Sequence, residues 1–371
     1  MTEIYLIRHS QAQGNRYRMI QGSWDGEITE MGKRQIEALA DRFSKIPVDA
    51  VYSSDLTRAV LTAEAAARRD HLPIETRPAL RELHAGPWEQ RFFGNISHEQ
   101  PELARRFIED AENWRLEGAE TFGEVRIRAL AELKKIAEEN EGRTIAVASH
   151  GVTIRCIMSG IMGIPLSDTV HLPIFKNTAV TKLVWDGKSF RVAYMNDASH
   201  LPQEAQSSWN VAGDLRDVPF DPQRDRAYYE ACYAEAWKSA HGNLLGFNPE
   251  TYYSAAKRHQ RVQNGSVMRI YHRDEPVGLI DLDPERGAAN GIGWISLLYL
   301  REDYRNKGYG IQLLGRAIFF YRRLGRERLR LQVAEDNRIA AAFYEREGFR
   351  TVEEQKAPNG KLMILEKEPL A

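Results

Sequence analysis

The sequence predicts a mixed α/β protein of two domains. Three observations carry that expectation. A chain of 371 residues exceeds one typical domain and suits two. In the first half, short apolar runs that stop at polar residues alternate with amphipathic helical stretches, the pattern of a largely parallel sheet covered by helices. Between residues 196 and 225 a stretch rich in Pro, Asp, Ser and Gln carries little sustained periodicity and reads as a linker or a draped connection. The boundaries expected are therefore a first domain at 1–201, a linker at 202–224 and a second domain at 225–371, with Trp209 and Phe220 packing part of the linker onto a domain.

Composition narrows the function classes. Apolar residues make up 43% and charged residues 28%, an ordinary globular balance. The formal net charge of -1 supplies no field for nucleic acid or an anionic membrane, so neither is an expected partner. Cys156 and Cys232 stand far apart and match no metal or redox spacing. No basic-then-apolar leader opens the chain and no apolar run is long enough to span a bilayer, so a reduced, cytoplasmic setting is expected.

In the first half, Ile4-Tyr5-Leu6-Ile7 is a buried-strand run cut off at Arg8-His9. Open α/β sheets place their sites at the carboxyl ends of such strands. A Gly-punctuated loop holds Gln21, Gly22 and Asp25. Thr29 can cap a helix that buries Ile36, Leu39, Ala40 and Phe43. Residues 49–54 read as a short strand ending at Ser53-Ser54, and Arg58 falls in the first turn of the next helix. Turn-rich sequence surrounds Leu80-Arg81-Glu82, with His84 expected as a turn histidine. Helices are expected near 99–116 and 122–140. Thr144 to Ser149 is a second buried run, stopping at His150-Gly151, and a hairpin follows around Asp186-Gly187-Lys188.

Two strands ending in histidine, with Arg58 and Glu82 nearby, suit phosphoryl chemistry. A phosphate monoester is dianionic and very slow to hydrolyse, so fixed cations must hold its oxygens. A neutral imidazole can attack phosphorus and split one hard step into two. A carboxylic acid can protonate the leaving oxygen and then serve as base toward water. Leu6-Ile7-Arg8-His9 with Asn15, the Gln21-Gly22/Asp25 and Thr29/Gly32/Gln35 segment, Ser53 to Ala59 around Arg58, Leu80-Arg81-Glu82 and Ser149-His150-Gly151 together resemble the histidine phosphatase superfamily, the phosphoglycerate-mutase-like fold. The resemblance covers about 1–201 and implies a three-layer α/β/α domain that needs no cofactor and acts on a small phosphorylated substrate. It implies His9 as the nucleophile, and Arg8, Arg58 and His150 as the grip on the phosphoryl oxygens. Asn15, Gln21, Gly22 and Gly151 would assist at the phosphate, and Glu82 would be general acid and base. Two departures stand out: Ser10 where the family usually has Gly, and Gln11-Ala12 where it has Glu-Thr. Hydrolysis is favoured because the half is compact; a phosphomutase is the alternative, as is a half that only binds or senses.

In the second half, helices are expected at 226–239 and from Pro249, strands at 267–271, 277–282 and 293–300, then a Gly-containing loop, Arg305-Asn306-Lys307-Gly308-Tyr309-Gly310, feeding a helix. Such a loop presents backbone N–H groups at a helix N-terminus, a cradle for pyrophosphate. It is neither a Walker loop nor a dinucleotide fingerprint. A strand at 329–333 and a helix from Asn337 through Tyr344, ended by Gly348, complete the pattern. The loop together with Asn337, Ala340, Phe343-Tyr344-Glu345 and Gly348-Phe349 resembles the GNAT acetyltransferase family over about 225–367. That resemblance implies an α+β fold with a mixed, mostly antiparallel sheet, acetyl-CoA as cofactor, and a small-molecule or peptide amine as acceptor. It implies that the backbone of Leu298 and Leu300 pairs with pantetheine, that Arg305 to Gly310 holds the pyrophosphate, that Asn337 contacts the cofactor and that Tyr344 protonates the thiolate. The amine's general base is not identified: Asp281, Asp283 and Glu335 are candidates, with a water chain as the alternative.

Overall fold

A computed structural model describes residues 1–206, 214–357 and 360–368. The chain divides into two compact units, Met1–Asn210 and Val211–Ala371.

The first unit contains β1 (Thr2–Arg8), α1 (Gln13–Tyr17), α2 (Glu30–Phe43), β2 (Ala50–Ser53), α3 (Thr57–Ala67), β3 (Ile74–Thr76), α4 (Phe93–Glu99), α5 (Pro101–Glu109), α6 (Phe122–Glu139), β4 (Thr144–Ser149), α7 (Gly151–Met162), β5 (Val180–Trp185) and β6 (Phe190–Asp197). Its sheet runs β3-β2-β4-β1-β5-β6. The first four strands are parallel, and the β5–β6 hairpin adds antiparallel to β1. Strands buried on both faces explain the continuous apolar runs in the sequence. Ile4 and Leu6 face α6 and α7, whereas Tyr5 and Ile7 face α2 and α3, giving three layers. Thr29 caps α2 by accepting the Gly32 N–H at 3.0 Å, an interaction typically worth about 1 kcal/mol. The helix expected at 99–116 is shorter. Gln100 ends α4 and opens α5, and α5 stops at Glu109; Trp88, Phe93, Trp114 and Phe122 then build a separate small core with these helices.

The second unit contains β7 (Leu215–Pro219), α8 (Arg226–His241), α9 (Pro249–Val262), β8 (Val267–His272), β9 (Glu275–Asp283), β10 (Ile292–Leu300), α10 (Gly310–Arg323), β11 (Arg328–Ala334), α11 (Arg338–Arg346), β12 (Arg350–Ala357) and β13 (Gly360–Lys367). Its seven strands run β12-β13-β11-β10-β9-β8-β7, and β10–β11 is the parallel pair in an otherwise antiparallel sheet. Leu279, Leu297 and Tyr299 pack beneath α8 and α9. At Gly293 an added Cβ would lie 2.3 Å from the Tyr321 ring, so glycine lets α10 close onto β10.

The stretch expected to be linker carries ordered pieces. Ala205 is buried, and its carbonyl accepts from Gln35 Nε2 at 2.7 Å. Residues 215–219 form β7, an edge strand on β8, and Phe220 joins the core under α8 and α9. Trp209 lies outside the described residues. Among the described residues no helix is long and apolar enough to cross a membrane.

Candidate active sites

In the first unit, parallel pairing sets Arg8 opposite Ser149, so the next residue on each strand, His9 and His150, emerges at the same sheet edge. Their rings lie 5.1 Å apart, and both residues are buried. His9 Nδ1 faces the Ser10 carbonyl at 2.7 Å; that contact places the ring proton on Nδ1 and leaves the Nε2 lone pair for chemistry. Burial, then the charges of Arg58 and Arg8, pushes His9 well below the ordinary imidazole value. Burial and Arg58 act likewise on His150. Both rings are therefore neutral at physiological pH, as a nucleophile requires.

The cations are fixed from below. Arg8 donates to the Phe175 carbonyl and packs against Gly151, where an added Cβ would stand 3.3 Å from its Nε. Burial lowers Arg8 to about 10, still protonated at neutral pH. Arg58 donates to the carbonyls of Gly22 at 2.7 Å and Trp24 at 2.9 Å and lies 3.4 Å from Asp25. Asp25 also caps α3, accepting the Thr57 N–H at 2.5 Å. Gln21 is buried where Gly14 leaves room: a Cβ on Gly14 would come 2.0 Å from Gln21 Cγ. Asn15 Oδ1 accepts the Ala12 N–H at 3.0 Å and meets Asn177 Nδ2 at 3.4 Å.

Glu82 sits on the first turn of α7. Its Oε1 accepts from the N–H groups of Leu83 (3.1 Å) and Thr153 (3.0 Å) and from Thr153 Oγ1 (3.1 Å); Oε2 accepts the Val152 N–H at 3.2 Å. Its charge bears on both Arg8 and Arg58. Arg8, His9, Arg58, Glu82, His150 and Gly151 thus converge. Among the described residues, Arg8 Nε, Arg58 Nε, Ser10 Oγ, Gln21 Oε1 and both ring nitrogens of His150 are buried without a hydrogen-bond partner. Buried polar atoms are rarely left so, and a cluster of them marks a place built for a polar ligand. Ser10 is not among the residues with positive φ, so serine replaces the family's glycine without backbone strain.

Two supporting residues escaped the sequence reading. Glu89 Oε1 accepts the N–H groups of Ser23 (2.8 Å) and Ala85 (3.1 Å) and meets His84 Nδ1 at 2.9 Å, while Oε2 accepts the Trp24 N–H at 3.1 Å. It therefore shapes the loop whose carbonyls hold Arg58. Gly22 has φ +54°, and a Cβ there would stand 2.3 Å from Glu89 Oε1. Arg128 donates to the carbonyls of Ala79, Arg81 and Glu82 at 2.7, 2.9 and 3.2 Å and pairs with Glu120 at 2.6 Å, fixing the segment that carries Glu82. Glu89 lies in a turn of mixed polar sequence and Arg128 on α6, and neither position announces its role.

In the second unit, β10 and β11 pair only over Ile292 to Ile295. After an irregularity between Ile295 and Leu297, β10 continues along β9 to Leu300, and β11 continues along β13 to Ala334. The two parallel strands part, exposing a backbone edge of β10 that includes Leu298. The loop before α10 uses left-handed conformations at Asn306 (φ +57°) and Gly308 (φ +80°), turning the chain so that the helix opens at Gly310. A Cβ on Gly310 would meet the Phe343 ring at 3.5 Å, so the start of α10 lies against α11. Tyr344 is buried between Phe343 and Phe349, at ring separations of 5.1 and 5.2 Å, and burial raises its phenol far above the ordinary value.

Several residues expected at the cofactor have structural partners. Arg305 donates through Nε to the Leu300 carbonyl at 2.8 Å and pairs with Glu235 at 3.1 Å, so its side chain braces β10 against α8. Asn337 caps α11, accepting the Ala340 N–H at 3.2 Å. Tyr309 is buried, with its hydroxyl 3.4 Å from His272, and Lys307 is exposed. Of the candidate bases, Asp281 and Asp283 flank buried His259 at 2.7 and 3.3 Å, with Tyr229 donating to Asp281 at 2.7 Å. Glu335 is exposed, 3.9 Å from Lys361.

The fold is that of a phosphoglycerate-mutase-like α/β/α domain followed by a GNAT-type domain with a mixed sheet. The chain belongs to the histidine phosphatase superfamily (branch 1), whose sequence pattern matches residues 4–198, and it carries a GNAT-family acetyltransferase domain matched over 227–349. Among relatives, a probable phosphoglycerate mutase, GpmB, of an Enterobacter species is 29% identical over 210 residues, 55% of this chain and 97% of that protein. Among solved structures, Bacillus stearothermophilus YhfR is 32% identical with a TM-score of 0.53, covering 54% of this chain and 99% of its own. A mycobacterial glucosyl-3-phosphoglycerate phosphatase in complex with VO3 is 26% identical with a TM-score of 0.50, covering 53% and 99%.

Proposed function

We propose that the chain is a bifunctional enzyme: a phosphomonoester hydrolase in its first domain and an acetyl-CoA-dependent N-acetyltransferase in its second. The observation that carries the hydrolase is the set of partnerless buried donors around two neutral histidines. His9 Nε2 attacks phosphorus while Arg8, Arg58 and His150 hold the phosphoryl oxygens as charge spreads over them. Glu82 gives its proton to the departing alcohol oxygen, so the P–O bond breaks as the N–P bond forms. Glu82 then takes a proton from water, whose oxygen attacks phosphorus and returns His9 to the neutral imidazole. The names of relatives include both a mutase and a phosphatase. Turnover in isotopically labelled water separates the two: hydrolysis puts solvent oxygen into every released phosphate, and His9→Ala stops release. Transfer of phosphate between substrate positions with little release would overturn the hydrolytic reading.

The residues of the second unit fit acetyl-CoA. The parted β10 edge at Leu298 can pair with the amides of the pantetheine arm as an added strand would. Backbone amides at the opening of α10 suit the pyrophosphate, whereas the Arg305 side chain serves the protein. The bound cofactor supplies an acetyl group activated as a thioester. Tyr344, kept protonated by burial, holds the proton a thiolate needs. Calorimetry with acetyl-CoA tests this reading, and absence of binding would remove it.

A further inference from the structure

The turn that leads into β5 does work that the chemistry above leaves unassigned. The β1–β5 ladder ends at Ile7 and Val180, two residues short of the nucleophile. Past that point the turn takes over. The Phe175 carbonyl accepts from the Arg8 guanidinium, and the Thr178 N–H donates to the Arg8 carbonyl at 3.0 Å. Thr178 is buried and has φ +56°, a left-handed value that a β-branched residue rarely adopts. Such strain persists where the surroundings over-determine it, and it gathers at functional sites. The residue before it, Asn177, is also buried. Its Nδ2 donates to the His9 carbonyl at 2.9 Å and reaches Asn15 Oδ1 at 3.4 Å.

The His9–Ser10 peptide is thereby held at both ends. Asn177 takes the His9 carbonyl, and Thr62 Oγ1 accepts the Ser10 N–H at 2.9 Å. The next carbonyl, that of Ser10, faces His9 Nδ1 at 2.7 Å. Turning the peptide would move that acceptor, and with it the aim of Nε2. The second contact fixes an amide. Asn15 Oδ1 accepts a backbone donor, the Ala12 N–H, so Asn15 has only its N–H groups to offer a ligand. Asn177 brings a second donor to the same oxygen and locks that orientation.

Resting on the hydrolase reading, we propose that Asn177 is a positioning residue. It aims the nucleophile through the His9–Ser10 peptide and holds Asn15 with its donors toward the phosphoryl oxygens. A buried asparagine that only filled the turn would act on stability alone.

The test uses the full chain, p-nitrophenyl phosphate as substrate and inorganic phosphate as competitor. Asn177→Ala should slow phosphorylation of His9 at saturating substrate by about 100-fold, the cost of a reacting group about 1 Å out of place. It should also weaken phosphate inhibition by about tenfold, the scale of one hydrogen bond to a charged ligand. In an Asn15→Ala background the second effect should vanish and the first persist, because Asn177 meets phosphate only through Asn15. A phosphorylation rate within about threefold of the unmodified chain, or effects on phosphate inhibition that multiply in the double variant, overturns the role. Asn177→Asp keeps the shape and serves where the alanine variant does not fold. Its carboxylate faces two acceptor oxygens, whereas its acid form donates once. The rate relative to the unmodified chain should therefore be depressed at about pH 8 and recover toward about pH 5; a flat ratio overturns the proposal. No phosphate release by the unmodified chain, with no phosphoryl label on His9, overturns the hydrolase itself.

Discussion

Replacing Glu89 by Gln probes how far the phosphate grip depends on a residue that never meets phosphate. The carboxylate accepts three backbone N–H groups and pairs with His84. A hydrogen bond to a charged acceptor contributes about 1.5–3 kcal/mol and a neutral one about 0.5–1.5 kcal/mol. The amide of Gln must also point its own N–H groups at one of these donors, as no acceptor replaces Oε2 opposite Trp24. Local support of the 22–24 turn should therefore fall by roughly 3–5 kcal/mol. The carbonyls of Gly22 and Trp24 that anchor Arg58 at 2.7 and 2.9 Å then move. Misplacing a catalytic group by about 1 Å can cost on the order of 100-fold. Steady-state hydrolysis should show kcat/KM down by about 100-fold, with inhibition by inorganic phosphate weakened in parallel. A melting curve on the same sample separates this from global unfolding. A variant that melts normally and keeps kcat/KM within about threefold would refute the chain from Glu89 through the turn to Arg58.

Other outcomes follow from the same geometry. Gly151→Ala sets a methyl 3.3 Å from Arg8 Nε and 3.4 Å from its Cζ, so inorganic phosphate should inhibit about tenfold more weakly, measured by competition. The two units should respond to pH with opposite sign. His9 and His150 titrate well below 6.5 in the fold, so the unfolded chain takes up protons first; each contributes stability above pH 6.5 that is lost progressively as pH falls below it. Burial alone would lower His259, but Asp281 and Asp283 raise it to about 9. Its contribution, about 3 kcal/mol, is complete below pH 6.5 and is lost as pH rises through about 9. Amide exchange read by mass spectrometry on the full chain should show the first unit loosening in acid and the second in alkali. Tyr344→Phe should slow acetyl transfer by about 10- to 100-fold with acetyl-CoA affinity by calorimetry unchanged; an unchanged rate would remove the proton-donor role.

The sequence made the strand ends legible because parallel strands buried on both faces leave unbroken apolar runs, and a polar stop such as Arg8-His9 or Ser149-His150 is then conspicuous. The helix at Thr29 was legible from its cap and its buried spacing. The edge strands were not. Residues 215–219 end in Pro219 and lie half-buried in a polar context, and residues 350–356 are a mostly exposed, charged run whose pairing comes from β13 rather than from its own pattern. Convergence hid for a different reason. Glu89 and Arg128 act on backbone carbonyls and amides distant in sequence, and no side-chain spacing records that. Arg305 shows the converse: a motif position can be spent on holding its own strand, leaving the loop's amides to meet a ligand.

The seat of Glu82 on the first turn of α7 ties the reaction cycle to a helix end. In the proposed cycle, protonation of Glu82 turns one oxygen into a hydroxyl, a donor and a weaker acceptor, so the bond it takes from Val152 or from Thr153 weakens. That turn should fray when the acid is loaded and tighten when it is spent. It begins beside His150 and carries Gly151 against Arg8, so in the proposed cycle each proton that Glu82 gives or takes would also be a small mechanical signal to those residues. The helix thus keeps a record of where the cycle stands.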